Sequence, residues 1–400
     1  MKILLLTLRV PYPLTDGGAI AMYRLMEALH RAGHELHILA LNTRKHHQDP
    51  AVLERFGKVS TTQLDTTPSA PAAVSNLLFS RLPYNIARFL SEEHALRLQK
   101  ILETEQFDVI QLEGVYLGLY LPLIRANTKA PILLRAHNVE YEIWAEMART
   151  EKHAFKKLYY RHLAKRGRRF ERATVPEFDG VAAISPLDAE AFRKMGFKGE
   201  LRDIPSGVPL ADLSKPQDAK EELPSGLASL GSLEWRPNVQ GLRWFLDEVW
   251  PLVQEAHPRA SFHIAGKNPP PEVLEWKVPG VTIQGPVPDA AAFLRRFPLT
   301  VVPLLSGSGI RIKILEAMGL ERAVVTTTRG AKGLRITPEE HFLLADTPAE
   351  FAQSIGYLLA NPDFRAKMAK RARQHVEASY SWPSVVAAFE ELYNALISKG

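Results

Sequence analysis

The sequence predicts an α/β protein built from two doubly wound parallel sheets. Two observations carry this. Short leucine- and β-branched-rich runs alternate with longer amphipathic stretches along all 400 residues. The alternation also occurs twice, on either side of IPSGVPLADLSKPQDAKEELPSG (204–226), whose Pro, Gly and Ser content reads as a linker. A chain of this length ordinarily makes two domains, each able to bury its own core. The first is expected over residues 1–205 and the second over 206–383.

KILLLTL opens the first half as a strand. Its apolar run, Ile3 to Leu8, is short, Arg9 interrupts it and no small-residue cleavage site follows, so it reads as a buried strand and not a signal peptide. A loop PYPLTDGG comes next, then a helix AIAMYRLMEALHRAG closed by Gly33 at a position that suits C′. HELHILALN, DVIQLEG, PILLRAHN and GVAAIS are the further strand-like runs. In the second half LASLGSL is a strand and VQGLRWFLDEVWPLVQEAH a helix; ASFHIAG, VTIQG, LTVVPLL, AVVTTT and FLLAD follow as strands. In open sheets of this kind ligands bind beyond the carboxyl ends of the strands.

Composition excludes several classes. There is no cysteine, hence no disulfide, thiolate metal site or cysteine nucleophile, in keeping with a reducing cytoplasm. No apolar run approaches the roughly 20 residues that span a bilayer. The charge is uneven: residues 1–205 hold 29 Lys/Arg and 23 Asp/Glu, residues 206–400 hold 21 of each. Segment 152–172 (KHAFKKLYYRHLAKRGRRFER) alone carries nine cations against one glutamate. It reads as a long helix with a basic stripe of Lys157, Arg161, Lys165, Arg168 and Arg172, and an apolar side of Phe155, Leu158, Tyr159 and Leu163. Such a stripe suits an anionic membrane surface or substrate. It equally suits a solvated helix whose apolar side covers the core. No nucleic-acid recognition motif accompanies the charge, so nucleic acid is not expected.

Ser306–Leu334 is the most informative stretch. Gly307 and Gly309 can take φ > 0 and turn backbone N–H groups toward a ligand. A helix over 310–319 would aim its positive end at the same spot. Arg311 and Lys313 add charge within one turn, and Glu316 lies within reach of that mouth. This is the equipment of a nucleotide-sugar site, although a glycine loop before a surface helix looks the same. Gly17 and Gly18 stand at the tip of the first strand, where backbone can approach a diphosphate or sugar. They also suit a plain tight turn. His137 ends a strand and would point out at its carboxyl end.

With these residues the chain resembles the retaining glycosyltransferases of family 4. The resemblance spans nearly the whole length and rests on Gly17–Gly18, His137–Asn138, Ile204 to Val208, the block from Gly307 to Glu316, and Trp382. It implies the GT-B fold: two facing Rossmann-like domains, with residues 384–400 forming a helix that packs back on the first. It implies a nucleotide-diphosphate sugar as donor substrate, no cofactor, and a glycan or lipid-linked acceptor. The basic helix over 152–172 leans toward an acceptor at the inner face of the membrane, which polysaccharide or glycoconjugate biosynthesis would suit. His137 would lie beside the donor sugar. Arg311 or Lys313 would neutralise the leaving diphosphate, and Glu316 would hold the ribose. The amides of Gly307, Ser308, Gly309 and Ile310 would line the sugar and phosphate, and Val287, after Gly285, would shelve the base.

Two departures stand out. Ser308 occupies the place of a second glutamate found in many members. Gly231 to Asn238 lacks the usual Arg and Lys pair, leaving Arg236, Arg311 or Lys313 to substitute. No Asp-x-Asp pair marks a catalytic metal. The resemblance further implies attack on the sugar from the leaving group's own face, a donor phosphate oxygen taking the acceptor's proton. A sugar-nucleotide 2-epimerase and a non-catalytic binding homologue are the alternatives. A dinucleotide oxidoreductase is disfavoured, because no G-x-G-x-x-G follows either leading strand.

Overall fold

The structure, a computed structural model, describes residues 1–14, 16–210, 225–307 and 309–399. They divide into two compact units, Met1–Gly207 with Val385–Gly400, and Val208–Ser384.

The first unit holds seven strands: β1 (Lys2–Thr7), β2 (Glu35–Thr43), β3 (Gly57–Leu64), β4 (Val109–Glu113), β5 (Ile132–Ala136), β6 (Gly180–Ala183) and β7 (Glu200–Asp203). They lie in the order β3-β2-β1-β4-β5-β6-β7, every pairing parallel. β1 is an interior strand, Leu5 pairing with Ile38 on one side and Gln111 on the other. Its residues from Ile3 to Thr7 are all buried, as a strand covered on both faces requires.

The second unit holds β8 (Gly226–Leu230), β9 (Ser261–Ala265), β10 (Val281–Gly285), β11 (Leu299–Val302), β12 (Ala323–Thr326) and β13 (Leu343–Leu344). Their order is β10-β9-β8-β11-β12-β13, again parallel throughout. Both units are therefore Rossmann-like. The single helix expected over 239–257 is instead Arg236–Trp244, a π turn Phe245–Val249 and Trp250–Ala256. Pro251 cannot donate to the carbonyl four residues back, and the wider π turn absorbs that loss.

The chain returns to the first unit within helix Trp382–Ile397, where Phe389, Leu392 and Tyr393 are fully buried. A Cβ on Gly180 would lie 2.9 Å from a Leu396 methyl, so any larger residue in β6 would have to push that side chain aside where this helix crosses it.

The basic segment forms helix Ala154–Thr174. Leu163 is buried, but Phe155 and Leu158 are 81% and 66% exposed, so of the two readings of this helix the one in which its apolar side covers the core holds only for part of it. Among the described residues no helix is long and apolar enough to cross a membrane.

Candidate functional site

In the second unit, β11 ends where Pro303 can no longer extend the ladder. The chain then turns through Gly307 (φ +102°) and Gly309 (φ +87°). At Gly307 a side chain is barred twice, since a Cβ would also sit 2.9 Å from the Trp235 ring. The helix begins at Ile312, two residues later than the spacing suggests, because Gly309 is left-handed and Arg311 takes the cap position. Ile310 is half-buried between them, and Ser308 lies outside the described residues.

Arg311 is buried; its guanidinium lies over the Trp235 ring at 5.4 Å and donates to the Gly309 carbonyl. Burial, then the nearby Arg329, brings its pKa down to about 10. Lys313 Nζ donates to Asn238 Oδ1 at 2.8 Å, and Asn238 Nδ2 donates to the Ser232 carbonyl at 2.8 Å. Burial, helped by Arg311, draws the Lys313 pKa down to about 7. The ammonium thus faces a neutral amide oxygen on one side and a second cation on the other. Glu316 is one turn on; burial raises its pKa, and among the described residues it forms no ion pair. Arg236 is exposed at the start of helix Arg236–Trp244. Val287 is half-buried and packs on the Phe293–Phe297 cluster just past Gly285 (φ +66°).

Asn238 was not singled out by the sequence. Its signal was placement: it follows the carboxyl end of β8 by a few residues, on the helix that Gly241 brings close. A Cβ on Gly241 would come within 2.0 Å of the Pro303 carbonyl oxygen.

In the first unit, helix Gly17–Arg31 starts at Gly17–Gly18, with Asp16 accepting from the Ala19 amide at 3.0 Å and from Arg9. A Cβ on Gly17 would touch nothing, so packing does not demand glycine there. His137 is the first residue past β5, and its Nε2 lies 2.7 Å from Glu113 Oε2. Glu113 Oε1 accepts from Gln111 Nε2, and Gln111 Oε1 accepts from Tyr393 OH at 2.5 Å. A buried chain therefore runs from the last helix to His137. Donation by Nε2–H to the carboxylate would leave Nδ1 as the ring's free lone pair. Gln111 and Glu113 were also missed. Their signal was two polar side chains at i and i+2 in an otherwise apolar strand, hence on one face.

Two further buried charged side chains brace the loops after β5 and after β7. Glu171, fully buried, accepts from the Glu140 and Tyr141 amides at 2.9 and 3.0 Å, capping helix Glu140–Thr150; burial raises its pKa to about 8. Arg135, also buried, donates to the Ile204 and Pro205 carbonyls and lies 5.2 Å over Phe389. Beside His137 opens a pocket of about 500 Å³, lined in part by Arg9, Lys45, Arg88, Phe89 and Glu113.

Two parallel Rossmann-like sheets, with a cationic glycine loop in one unit and a histidine–carboxylate pair in the other, are the GT-B type of glycosyltransferase. Residues 15–212 match the family described as Glycosyltransferase Family 4, and residues 225–361 the family described as Glycosyl transferases group 1. The chain belongs to the group 1/family 4 glycosyltransferases. A 44.6 kDa protein of the cps region of Klebsiella pneumoniae is 24% identical over 97% of this chain and 98% of its own. Glycosyltransferase 1 domain-containing protein 1 of Xenopus tropicalis is 29% identical over 34% of this chain and 42% of its own. Among solved structures, sucrose-phosphate synthase from Thermosynechococcus elongatus superposes with a TM-score of 0.69 at 20% identity, covering all of both chains. HepE of Anabaena, in complex with UDP, gives 0.65 at 13% identity, over 99% of this chain and 100% of its own.

Proposed function

We propose that the chain transfers a sugar from a nucleoside-diphosphate sugar, with retention and without a divalent metal, to an acceptor carrying an anionic group. The observation that carries the donor half is Lys313. A half-neutralised ammonium with one neutral partner, next to Arg311 and a helix N-terminus, gains a counter-ion when a diphosphate arrives. UDP is the first diphosphate to try, since the HepE structure was solved with it.

In this reading the bond between the anomeric carbon and the β-phosphate oxygen breaks, its electron pair going to the diphosphate. Lys313, Arg311 and the amides around Gly307 and Gly309 stabilise that charge where it develops. The acceptor hydroxyl attacks the same face and gives its proton to a donor phosphate oxygen. His137, oriented by Glu113, stands beside the sugar. Glu316 accepts from the ribose hydroxyls. Arg9, Lys45 and Arg88 around the His137 pocket favour an acceptor that bears phosphate or carboxylate. The likeness to a cps-region protein supports polysaccharide biosynthesis.

Thermal melts against UDP, GDP, ADP, CDP and dTDP test the donor half. A ligand at ~100 times its Kd adds about 2.7 kcal/mol to stability. A shift with one diphosphate, abolished in Glu316→Ala, is expected. The same shift in wild type and variant would remove Glu316 from the ribose, and no shift with any diphosphate would remove the donor site. Transfer that persists in excess EDTA is the check on metal independence. Ser308, in place of the family's second glutamate, favours the reading as a non-catalytic homologue, which detectable transfer excludes.

A further inference from the structure

Helix Ala70–Phe79 (APAAVSNLLF) has no buried residue. Leu78 and Phe79 are 68% and 85% exposed, and Val74 and Leu77 are also exposed. Ordinary solvated helices bury their apolar side chains on a core; this one presents them to water. It is pinned beside helix Ala154–Thr174 by Arg166, which donates to the Asn76, Ser80 and Arg81 carbonyls and so also caps the helix C-terminus. That neighbour contributes the exposed Phe155 and Leu158, and its half-buried Tyr160 lies 5.9 Å from the half-buried Trp144, the rings tilted at 47°.

The same neighbour supplies the charge. Lys152, Lys156, Arg161, Lys165, Arg168, Arg169 and Arg172 are exposed, and among the described residues none forms a salt bridge. An apolar patch on a monomer marks an interaction surface. Here it adjoins a run of uncompensated cations with interfacial aromatic side chains beside it. Apolar side chains to insert, cations to meet headgroups and Trp or Tyr at the boundary are the three elements of interfacial lipid binding.

We propose that helices Ala70–Phe79 and Ala154–Thr174 form a docking surface for an anionic lipid bilayer, with Leu78, Phe79, Phe155 and Leu158 entering the acyl boundary and Arg161, Lys165 and Arg168 contacting anionic headgroups. The surface shares no residue with the donor site, and its test does not need catalysis. It accounts for the uneven charge of the chain, whose positive excess lies in residues 1–205 while residues 206–400 are neutral.

Flotation of the full chain with vesicles tests it. Binding to phosphatidylglycerol–phosphatidylethanolamine vesicles and not to phosphatidylcholine vesicles is expected, weakening as salt rises. The variant Leu78→Ser/Phe79→Ser/Phe155→Ser, and separately Arg161→Glu/Lys165→Glu/Arg168→Glu, should each lower the lipid partition coefficient by roughly tenfold or more. All six positions are solvent-exposed, and an unchanged melting temperature confirms each variant is folded. Absence of binding to anionic vesicles overturns the proposal. So does a concentration-dependent dimer that the serine variant abolishes while vesicles bind neither protein, since the patch would then be a contact between copies. Retained binding in both variants would place the lipid contact elsewhere and overturn it as well.

Discussion

At the scale of single residues, Lys313 sets the strongest expectations. Its pKa near 7 is depressed by burial, so the free fold loses stability as pH falls from the ordinary lysine value through about 7. A diphosphate bound as proposed would raise that pKa again. Affinity for UDP should therefore be flat below pH 7 and fall as pH rises above it, with a proton taken up on binding. Isothermal titration in buffers of different ionisation enthalpy reads that proton directly, and a proton count of zero at pH 8 would show that Lys313 does not meet the diphosphate. Lys313→Met should weaken UDP about 10- to 100-fold, the worth of one charge-assisted hydrogen bond. Glu113→Gln acts differently, because it disturbs only the group that holds His137. It should lower kcat by about 10- to 100-fold with donor affinity unchanged, as outer partners of a working side chain generally do. Tyr393→Phe, one link further back, should do the same more weakly. Equal loss of kcat and of UDP affinity in Glu113→Gln would mean the carboxylate serves the fold and not the histidine.

At the scale of elements, helix Arg236–Trp244 lies against the end of β11 only because Gly241 has no side chain. Gly241→Ala must move one against the other, at a cost of about 1–3 kcal/mol, and should carry Asn238 away from Lys313. Urea unfolding measures the first effect, and the loss of a depressed Lys313 pKa by NMR the second. The same level shows how much the sequence made legible. The strands of the sheet interiors announced themselves, because burial on both faces demands unbroken apolar runs such as ILLLT and AVVTT. β3 and β7 did not. They are the two edges of the first sheet, and GKVSTTQL and ELRD carry the polar residues that an open edge tolerates. The loop from Gly307 to Glu316 was legible because its glycines and charges are contiguous. The Tyr393–Gln111–Glu113–His137 chain was not, because it joins residues far apart in sequence through contacts that no local period records. Helix Ala70–Phe79 went unread since its apolar residues, which face solvent, lack the amphipathic stripe that marks a core helix.

At the scale of the whole molecule, the first unit is discontinuous in sequence, closed by a helix that follows the second unit along the chain. Phe389 is fully buried there, beneath the Arg135 guanidinium that also holds the Ile204 and Pro205 carbonyls. Phe389→Ala should cost about 3–5 kcal/mol and lower the melting of the first unit selectively. Hydrogen exchange resolved by peptide would show faster exchange in β4 to β6 with the second unit unaffected; uniform change over both units would indicate that they unfold as one.

The buried link between Tyr393 and Gln111 spans 282 residues, and the partly exposed one between His34 and Glu390 spans 356. During synthesis, β1 to β7 emerge long before the helix that completes their core. The first sheet must wait, partly covered, while the entire second unit is made and folds. Closure over such separations is slow, and the waiting sheet is the species most exposed to aggregation. The histidine that stands beside the sugar in the proposed reaction is therefore anchored by one of the last contacts the chain can form.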